Sequence, residues 1–371
     1  PDSFIERNVC FHDFSIRKIM RRGSDGVEVR AHQISLDRPV VLKILDEKLS
    51  RNASYATMFV KRAREISRLN HPNLIPLYFV AKEYGLYFAV REDVEMQNLR
   101  DVLAKEGRLD VASALPMFQQ IADGLEYAWR QSKLTHGNIK PAYIAISDYG
   151  MAKLADVGLA QIDLGDEPEK IKGTPQYISP EQILGEETDL RSDIYSLGCN
   201  LYQCLTGHYP FVSENTIEIF QKHLGSEIYP PNQYDPTIPG TVCMIIAKMM
   251  AKKKEDRYPD GSTLLQDLLL VSQGGEPNYA VKYPPPANLM PGIFDDGSNA
   301  GPPMARLAEE EEEYEEEEYD EQPEYEEEVE TVTVGEEEPR PQATKSPKSL
   351  KLVAPARKQL TKPNLTRRPK R

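Results

Sequence analysis

Several charged and polar residues stand in local contexts that could support chemistry. Lys43 lies in a mostly apolar strand pattern that follows a turn containing Gly23 and Gly26. A lysine placed on a strand in this way can aim a point charge at phosphate groups. Further along, the run His136-Gly-Asn-Ile-Lys140-Pro follows a long helical pattern, and Asp156-Val-Gly comes directly after a predicted strand. These residues are the candidates for a functional site, and the fold must bring them together.

The first part of the chain predicts a small, strand-rich lobe. Alternating and apolar runs between residues 14 and 45 indicate strands. Residues 54–69 carry apolar side chains at helical spacing, and His71-Pro-Asn ends that pattern. Two more strands are expected at residues 74–80 and 86–90. We therefore expect a small lobe over about residues 10–92, with one helix.

After Glu92 the pattern becomes mainly helical. Long helices are expected at residues 112–131 and 193–206, and the second is apolar nearly all round, as in a buried central helix. Two short strands are expected between them, and two further helices precede Ser272. The sequence thus predicts a larger helical lobe over residues 93–272. A Pro- and Gly-rich linker is expected over residues 273–308.

In their order and spacing, the motifs resemble the eukaryotic-like (Hanks-type) Ser/Thr protein kinase family, particularly its bacterial members. The resemblance covers about residues 10–272. It implies an α+β, bilobal protein-kinase fold, with a small antiparallel β lobe and a larger helical lobe, and the family's use of ATP and Mg²⁺. The segments that carry it are the Lys43 strand, the loop His136–Pro141, Asp156-Val-Gly158, the run Gly173–Glu181, Asp193 and Arg257.

Several family positions keep the expected residue type. By this resemblance Lys43 contacts phosphates, Asp156 binds a metal ion and Lys140 serves the catalytic loop that His136 opens. Three structural positions are also kept, namely a glutamate, its arginine partner and an aspartate that braces the catalytic loop: Glu181, Arg257 and Asp193. Gly23, Gly26, Val41 and Glu92 fall at nucleotide-binding positions.

The catalytic loop departs from the family pattern where the chemistry occurs. Asn138 stands in place of the catalytic base, and a neutral amide cannot accept the proton of a substrate hydroxyl. Tyr143 stands in place of the second metal ligand, and a phenol is a poor ligand for Mg²⁺. Gly137 replaces the arginine that would hold a phosphorylated activation loop. Consistently, residues 159–172 contain no Ser or Thr.

The small lobe departs from the pattern as well. Arg62 occupies the place of the helix glutamate that should pair with Lys43, and Glu65 lies one turn away. The glycine loop has lost its first glycine. Where an apolar residue should cover the adenine, the chain carries Glu28, or Val29 if the register slips by one. Three further replacements surround the base: Val41 for a small alanine, Ala145 for a larger apolar residue, and Arg91 for an apolar gatekeeper before Glu92.

Together these changes favour a pseudokinase: a scaffold or allosteric partner in signalling that binds ATP weakly or not at all. The alternative is a weakly active or atypical ATP-dependent Ser/Thr protein kinase that uses Lys43, Asp156 and Lys140, because phosphoryl transfer depends mostly on positioning and electrostatics. A third hypothesis is an anion-binding adaptor in which the charged tail does most of the binding.

Charge is strongly segregated toward the end of the chain. The 371 residues contain 45 Lys and Arg against 59 Asp and Glu, a formal net charge of −14. Residues 309–338 hold 19 acidic and no basic residues, and residues 339–371 hold 11 basic and no acidic ones. Both segments are expected to be disordered. The acidic tract is either a spacer or an interaction tract, and the basic tail could weakly contact anions or nucleic acid, or the acidic tract itself.

Composition also bears on the compartment and the partners. The body is nearly balanced in charge, which excludes a wholly basic nucleic-acid-binding protein. Four scattered cysteines and the absence of a signal-peptide pattern favour a cytoplasmic protein in a reducing compartment. No apolar run reaches the roughly 18 residues that a membrane span needs. The partners expected for such a chain are proteins.

Overall fold

The computed structural model describes residues 10–11, 13–23, 25–159 and 173–291. These belong to one compact unit, residues 1–314, while a second unit, residues 315–371, lies outside the described residues. The expected acidic tract and basic tail, the end of the expected linker and nearly all of residues 159–172 therefore fall outside what the structure describes.

The small lobe is a six-stranded antiparallel sheet with strand order β1-β2-β3-β4-β6-β5. Its strands are β1 (Cys10–Phe11), β2 (Phe14–Gly23), β3 (Gly26–Gln33), β4 (Arg38–Leu45), β5 (Leu77–Glu83) and β6 (Leu86–Glu92). One face packs into an apolar core of Phe11, Phe14, Val29, Leu42 and Phe88. Because side chains alternate along a strand, the opposite face of β3 and β4 carries the charged residues.

The register of the sheet decides which charged residues are neighbours. Glu28 of β3 lies opposite Lys43 of β4, and Val41 of β4 lies opposite Arg91 of β6. Residues that face each other across antiparallel strands project to the same side of the sheet. Glu28, Lys43 and Arg91 therefore point together toward the large lobe.

The turn between β2 and β3 depends on Gly26. Its φ is 135°, in the region that favours glycine, and a Cβ atom would lie 2.0 Å from the carbonyl oxygen of Ile44. The turn is therefore held tightly against the end of β4. As a result, Asp25, the residue just before Gly26, lies near Lys43 of β4.

Two helices follow the first strands of the small lobe, where we expected one. The short α1 (Glu47–Arg51) precedes α2 (Ala53–Ile66), and the side chain of Asn52 caps α2 by accepting from the backbone N–H of Tyr55. The residues of α2 that face the sheet are apolar and buried, including Phe59, Ala63 and Ile66. This amphipathic pattern is the one that the sequence predicted.

The large lobe is built around a buried helix. Its helices are α3 (Leu99–Glu106), α4 (Val111–Ser132), α5 (Pro180–Ile183), α6 (Leu190–Thr206), α7 (Thr216–Gly225), α8 (Pro231–Tyr234), α9 (Gly240–Met249), α10 (Gly261–Ser272) and α11 (Asn278–Lys282). Every residue of α6 except Arg191 is buried, and α6 packs against α4 and α9. A three-stranded sheet of β7 (Gln97–Asn98), β8 (Ile144–Ile146) and β9 (Ala152–Leu154) packs against α4 through β9.

The large lobe does not end near Ser272, and the expectation of a linker is wrong for residues 273–291. The buried carboxylate of Asp267 on α10 accepts hydrogen bonds from the backbone N–H groups of Tyr279 and Ala280 at 2.9 and 2.8 Å, which fixes the start of α11. Met290 is 2% exposed, and the backbone N–H of Ile228 donates to the carbonyl of Leu289. The prolines suggested a linker, but the apolar side chains between the prolines pack against the rest of the large lobe.

The shorter helices were not predicted from the sequence: α1, α3, α5, α7, α8 and α11. Each of these helices is short, so its apolar residues do not repeat often enough to form a clear helical pattern in the sequence. Among the described residues, no helix combines the length and the hydropathy that crossing a bilayer requires.

Candidate functional site

The loop that carries residues 136–143 is held by a buried carboxylate. Asp193, on the first turn of α6, accepts hydrogen bonds from the backbone N–H groups of His136 and Gly137 at 2.7 and 2.8 Å. Burial raises the pKa of Asp193 to about 7, although these two donors act in the opposite direction. The His136 ring donates through Nε2 to the carbonyl of Ala155 at 2.9 Å, and burial lowers its pKa to about 4. The histidine is therefore a neutral structural group.

Asn138 is engaged by the segment that precedes α5. Its Oδ1 accepts from both the backbone N–H and the hydroxyl of Thr174, at 3.1 and 2.9 Å. The amide of Gln182 donates to the carbonyl of Gly137 at 2.8 Å and fixes the neighbouring backbone. The oxygen of Asn138 is therefore already committed to two donors, and a carboxamide has no basic site to accept a proton.

Tyr143 is buried at the edge of the site. Its ring packs against His136, with centroids 5.6 Å apart, and the Lys140 ammonium lies 5.6 Å from the Tyr143 centroid. Burial raises the pKa of Tyr143 to about 12, so the phenol stays protonated at neutral pH. A protonated phenol supplies no anionic oxygen for a hard cation such as Mg²⁺.

The ammonium of Lys43 is surrounded by carboxylates. Asp25 Oδ2 lies 2.8 Å from Lys43 Nζ, Asp156 Oδ2 lies at 3.9 Å and Glu28 Oε1 at 4.0 Å. Burial opposes the charge on Lys43, but Asp156 and Asp25 outweigh it and raise the pKa of the lysine. The helix α2 contributes none of these partners. Arg62 and Glu65 of α2 pair with each other at 3.2 Å.

Glu28 joins this group to two arginines. Arg21 Nη2 lies 2.9 Å from Glu28 Oε1, and Arg91 Nη2 lies 3.5 Å from Glu28 Oε2. Burial opposes ionisation of Glu28, yet Lys43, Arg21 and Arg91 together lower its pKa to about 2. We call the set Arg21, Asp25, Glu28, Lys43, Arg91 and Asp156 the cleft cluster. With three carboxylates and three cations, the cleft cluster is balanced in formal charge.

Asp156 is the least satisfied member of the cleft cluster. Its φ is 58°, and neither carboxylate oxygen has a hydrogen bond among the described residues. Its closest cations are Arg91 Nε at 3.5 Å and Lys43 Nζ at 3.9 Å, within the range of an ion pair but too long for hydrogen bonds. Burial and Glu28 raise the pKa of Asp156, while these cations oppose the shift.

In this arrangement the residues do not fit ATP with Mg²⁺. A phosphate oxygen would need the ammonium of Lys43, which the Asp25 carboxylate already holds. A magnesium ion bound with a nucleotide takes one or two carboxylates together with phosphate oxygens and water, and the carboxylate of Asp156 already faces Arg91 at 3.5 Å and Lys43 at 3.9 Å. The orphaned oxygens of Asp156 are the feature of the cleft that would suit a cation.

The remaining predicted positions lie around the cleft cluster. Gly23 pairs with Gly26 at the end of the β2–β3 ladder, and Val41 is buried opposite Arg91. Glu92 extends its carboxylate to Lys153, at 3.3 Å. Away from the cleft, Glu181 and the fully buried Arg257 form two hydrogen bonds of 2.7 and 2.8 Å.

Sequence reasoning missed two members of the cleft cluster, Asp25 and Arg21. For Asp25 a sequence signal was present, since it lies between the glycines of the turn, whereas the pairing of Arg21 with Glu28 follows from the strand register, which the structure shows. The sequence also left open whether Glu28 or Val29 faces the cleft. The register places Glu28 there, while Val29 lies in the apolar core.

The comparisons with known proteins point to the same protein family. The protein kinase domain family matches residues 14–268. The probable serine/threonine-protein kinase PknB of Bifidobacterium longum is 32% identical over 286 residues, which cover 73% of this chain and 41% of the relative. The probable serine/threonine-protein kinase SCO3848 of Streptomyces coelicolor is 31% identical over 265 residues, covering 69% of this chain and 39% of the relative. The chain thus spans about two fifths of these curated relatives.

A solved structure supports the fold. The PknI kinase domain of Mycobacterium tuberculosis aligns with a TM-score of 0.57 over 70% of this chain and 96% of that domain. Its sequence identity to this chain is 17%, so the likeness concerns the fold alone.

Proposed function

Because this chain belongs to the protein kinase family, we propose that it acts as a pseudokinase, a protein-kinase-fold scaffold or allosteric partner in signalling. Members of this family use ATP and Mg²⁺ in general, but this chain is proposed to bind ATP weakly or not at all. The observation that carries the proposal is the cleft cluster, in which carboxylates of the chain itself neutralise Lys43 and Arg91.

Nucleotide binding would have to disrupt this network. The phosphates would compete with Asp25 for Lys43, and a metal ion would compete with Arg91 for Asp156. The Lys43–Asp25 and Arg91–Asp156 contacts would be exchanged for contacts with the phosphates and the metal ion, so only the difference between the two sets would appear as affinity. This competition supports weak binding.

The second candidate is a weakly active or atypical Ser/Thr protein kinase, and the activity named for the relatives favours it. Lys43, Lys140 and Asp156 remain, and phosphoryl transfer depends mainly on positioning and electrostatics. In that case Lys43 would hold phosphates and Asp156 a metal ion, after Asp25 and Arg91 had moved aside. Loss of a base at Asn138 would lower the rate without abolishing transfer.

Thermal-shift titration with Mg-ATP tests the first proposal. A ligand at 100 times its Kd stabilises a protein by about 2.7 kcal/mol. We expect no shift of the wild-type chain at micromolar ATP and a small one at millimolar ATP. Asp25→Ala should strengthen binding, because it frees Lys43, whereas the exposed Asp148→Ala should not. A large shift of the wild type at micromolar ATP would refute weak binding.

A phosphotransfer assay separates the two candidates. We expect at most trace transfer from ATP to the protein itself or to basic test substrates. Robust turnover that Asp156→Ala abolishes would establish the second candidate and exclude the first. Contaminating activity is recognised because Asp156→Ala would leave it unchanged.

We also propose protein partners and a cytoplasmic location. Cys199, Cys204 and Cys243 are free and buried, which suits a reducing compartment. For the domain boundaries, we propose a kinase-like domain that extends from about residue 10 to residue 291, beyond the end of the family match. Weak contact of the basic tail with anions stays a proposal from its sequence.

A further inference from the structure

The outer side of the small lobe carries a groove that the proposed function does not use. Two adjoining concavities, of about 430 and 560 Å³, share Ala56, Thr57 and Tyr87 in their walls. The groove runs along the exposed side of α2 and is closed on its other side by the hairpin of β5 and β6. It lies on a different surface from the cleft cluster, and none of its lining residues belongs to that cluster.

Basic side chains form a stripe along this groove. Lys61, Arg64 and Arg68 all line it and are exposed. Lys61 and Arg64 lie three residues apart on α2 and therefore share one face of the helix, while Arg68 lies in the turn that follows the helix end at Ile66. Lys82 of β5 adds a fourth cation from the opposite wall, with its ammonium 4.6 Å from the Tyr87 ring centroid. We call these four residues the basic stripe.

The basic stripe has no acidic partners among the described residues. The acidic residues that line the groove are already neutralised, since Glu65 pairs with Arg62 at 3.2 Å and Glu47 pairs with Arg51. The groove therefore presents an uncompensated positive charge of four on a domain whose sequence is otherwise slightly acidic. Such a charge attracts anions of complementary shape.

The floor of the groove is less polar than its rim. Ala56, Val60 and the ring of Tyr87 line the groove between the three cations on the α2 side and Lys82 on the hairpin side. Lys61 and Arg64 are separated by about 4.5 Å along the axis of α2, and Arg68 adds a cation beyond the helix end. An extended peptide advances by about 3.3–3.6 Å per residue, so a run of a few acidic residues can contact these three cations.

From this geometry we propose that the groove binds an acidic segment of a partner protein, as an extended peptide with a run of about four carboxylates and an apolar or aromatic residue for the floor. Arginine suits this role because its fork can bind a carboxylate bidentately. The inference goes beyond the proposed pseudokinase role, because it assigns a surface and a partner class and does not depend on the chemistry of the cleft.

Charge and shape favour a peptide over a nucleic acid. Binding of single-stranded nucleic acid uses aromatic faces on which successive bases stack. Tyr84 and Tyr87 are the aromatic residues among those that line the two concavities, and the ammonium of Lys82 lies over the Tyr87 ring. A succession of bases would thus have at most two tyrosine rings to stack upon, whereas carboxylates have four cations to contact.

The test measures binding of a fluorescein-labelled peptide, Glu-Glu-Tyr-Glu-Glu-Phe-Glu-Glu, to the full-length protein by fluorescence anisotropy at 0.1 M salt. We expect saturable binding that weakens as salt rises, and no binding of the same peptide with Gln in place of Glu. The variant Lys61→Glu/Arg64→Glu/Arg68→Glu should raise the Kd at least about tenfold, because three exposed ion pairs are lost.

A matched control changes the charge equally at a distance from the groove. Arg17→Glu/Lys105→Glu/Lys253→Glu alters three exposed basic residues, and we expect its Kd to stay within about twofold of the wild type, since distant exposed charges are largely screened. Melting curves of both variants identify any unfolding, and the milder Arg64→Gln gives a smaller loss in the same direction if the triple variant does not fold.

The proposal fails if the Gln peptide binds as well, if both triple variants lose affinity equally, or if the acidic peptide shows no saturable binding. It also fails if single-stranded RNA binds more tightly than the peptide through the same residues, since the ligand would then be a nucleic acid. None of these outcomes affects the ATP titration, so failure here is distinguishable from failure of the pseudokinase proposal.

Discussion

Glu28 offers the sharpest test of the cleft cluster. Glu28→Gln keeps the shape of the side chain but removes the carboxylate that faces Arg21, Lys43 and Arg91 at 2.9, 4.0 and 3.5 Å. The buried Lys43 and the half-buried Arg21 and Arg91 then share two carboxylates. We expect the variant to fold with clearly reduced stability, because one cation of the cluster has become uncompensated.

The pKa of Glu28 gives the size of the effect. Its pKa falls from 4.5 to about 2 on folding, despite burial, because Lys43, Arg21 and Arg91 favour the charged form. At about 1.4 kcal/mol per unit, the ionised carboxylate contributes roughly 3 kcal/mol at neutral pH. Breaking buried ion pairs costs about 3–5 kcal/mol, which agrees. The melting temperature should therefore fall by about 6–12 °C.

The same shift predicts a pH dependence. Because the folded-state pKa is depressed, the contribution of Glu28 is complete above about pH 4.5 and is lost as the pH falls toward 2. Glu28→Gln lacks this contribution at every pH. The stability difference between wild type and variant should therefore be largest at neutral pH and should shrink below pH 4.5.

Urea unfolding and calorimetry at pH 7 measure the difference, and repeating them at pH 4 and pH 3 follows its decline. The exposed Glu95→Gln is the matched control, and we expect it to change stability by less than about 0.5 kcal/mol. A loss below about 1 kcal/mol for Glu28→Gln, or a loss independent of pH, would mean that the cluster does not neutralise Glu28 in solution.

Three further predictions concern other parts of the chain. Asn138→Asp with Tyr143→Asn should restore little phosphotransfer in a radiolabelled ATP assay, because the cleft cluster remains; turnover near that of ordinary family members would contradict this. Arg257→Lys should destabilise the protein by about 3 kcal/mol in urea unfolding, since it breaks the buried bidentate pair with Glu181; an unchanged midpoint would oppose that reasoning. Truncation after Leu307 should leave the melting temperature nearly unchanged by calorimetry, because residues 309–371 present no apolar pattern that could dock; a fall of many degrees would show otherwise.

The parts of the fold that sequence predicts well are those with a long, regular pattern. The helices α4 and α6 were expected within a few residues of their ends, because each repeats an apolar stripe over several turns. The order of the motifs then indicated the two-lobed arrangement. The short helix α11 was missed because its few apolar residues stand among prolines. Their burial becomes evident only from the surface of the large lobe on which they pack.

The candidate site was predictable in its parts but not in its pairing. Sequence identified Lys43 and Asp156, and noted Arg91 and Glu28 as unusual replacements. It could not show that these departures compensate one another, because the pairing depends on strand register and on a loop from the other lobe. Asp25 illustrates the difficulty, since an acidic residue in a turn is ordinarily solvated and only the tight turn at Gly26 brings it to Lys43.

The docking of α11 changes where the foldable unit ends. The family match stops at residue 268, yet Asp267 has two of its hydrogen-bond donors in Tyr279 and Ala280. A recombinant fragment cut at the family boundary would remove both donors, leave this buried carboxylate to the hydroxyl of Tyr258, and uncover the apolar surface that Met290 protects. Expression fragments that end after residue 291 should therefore be more soluble and more resistant to protease than those that end at residue 268.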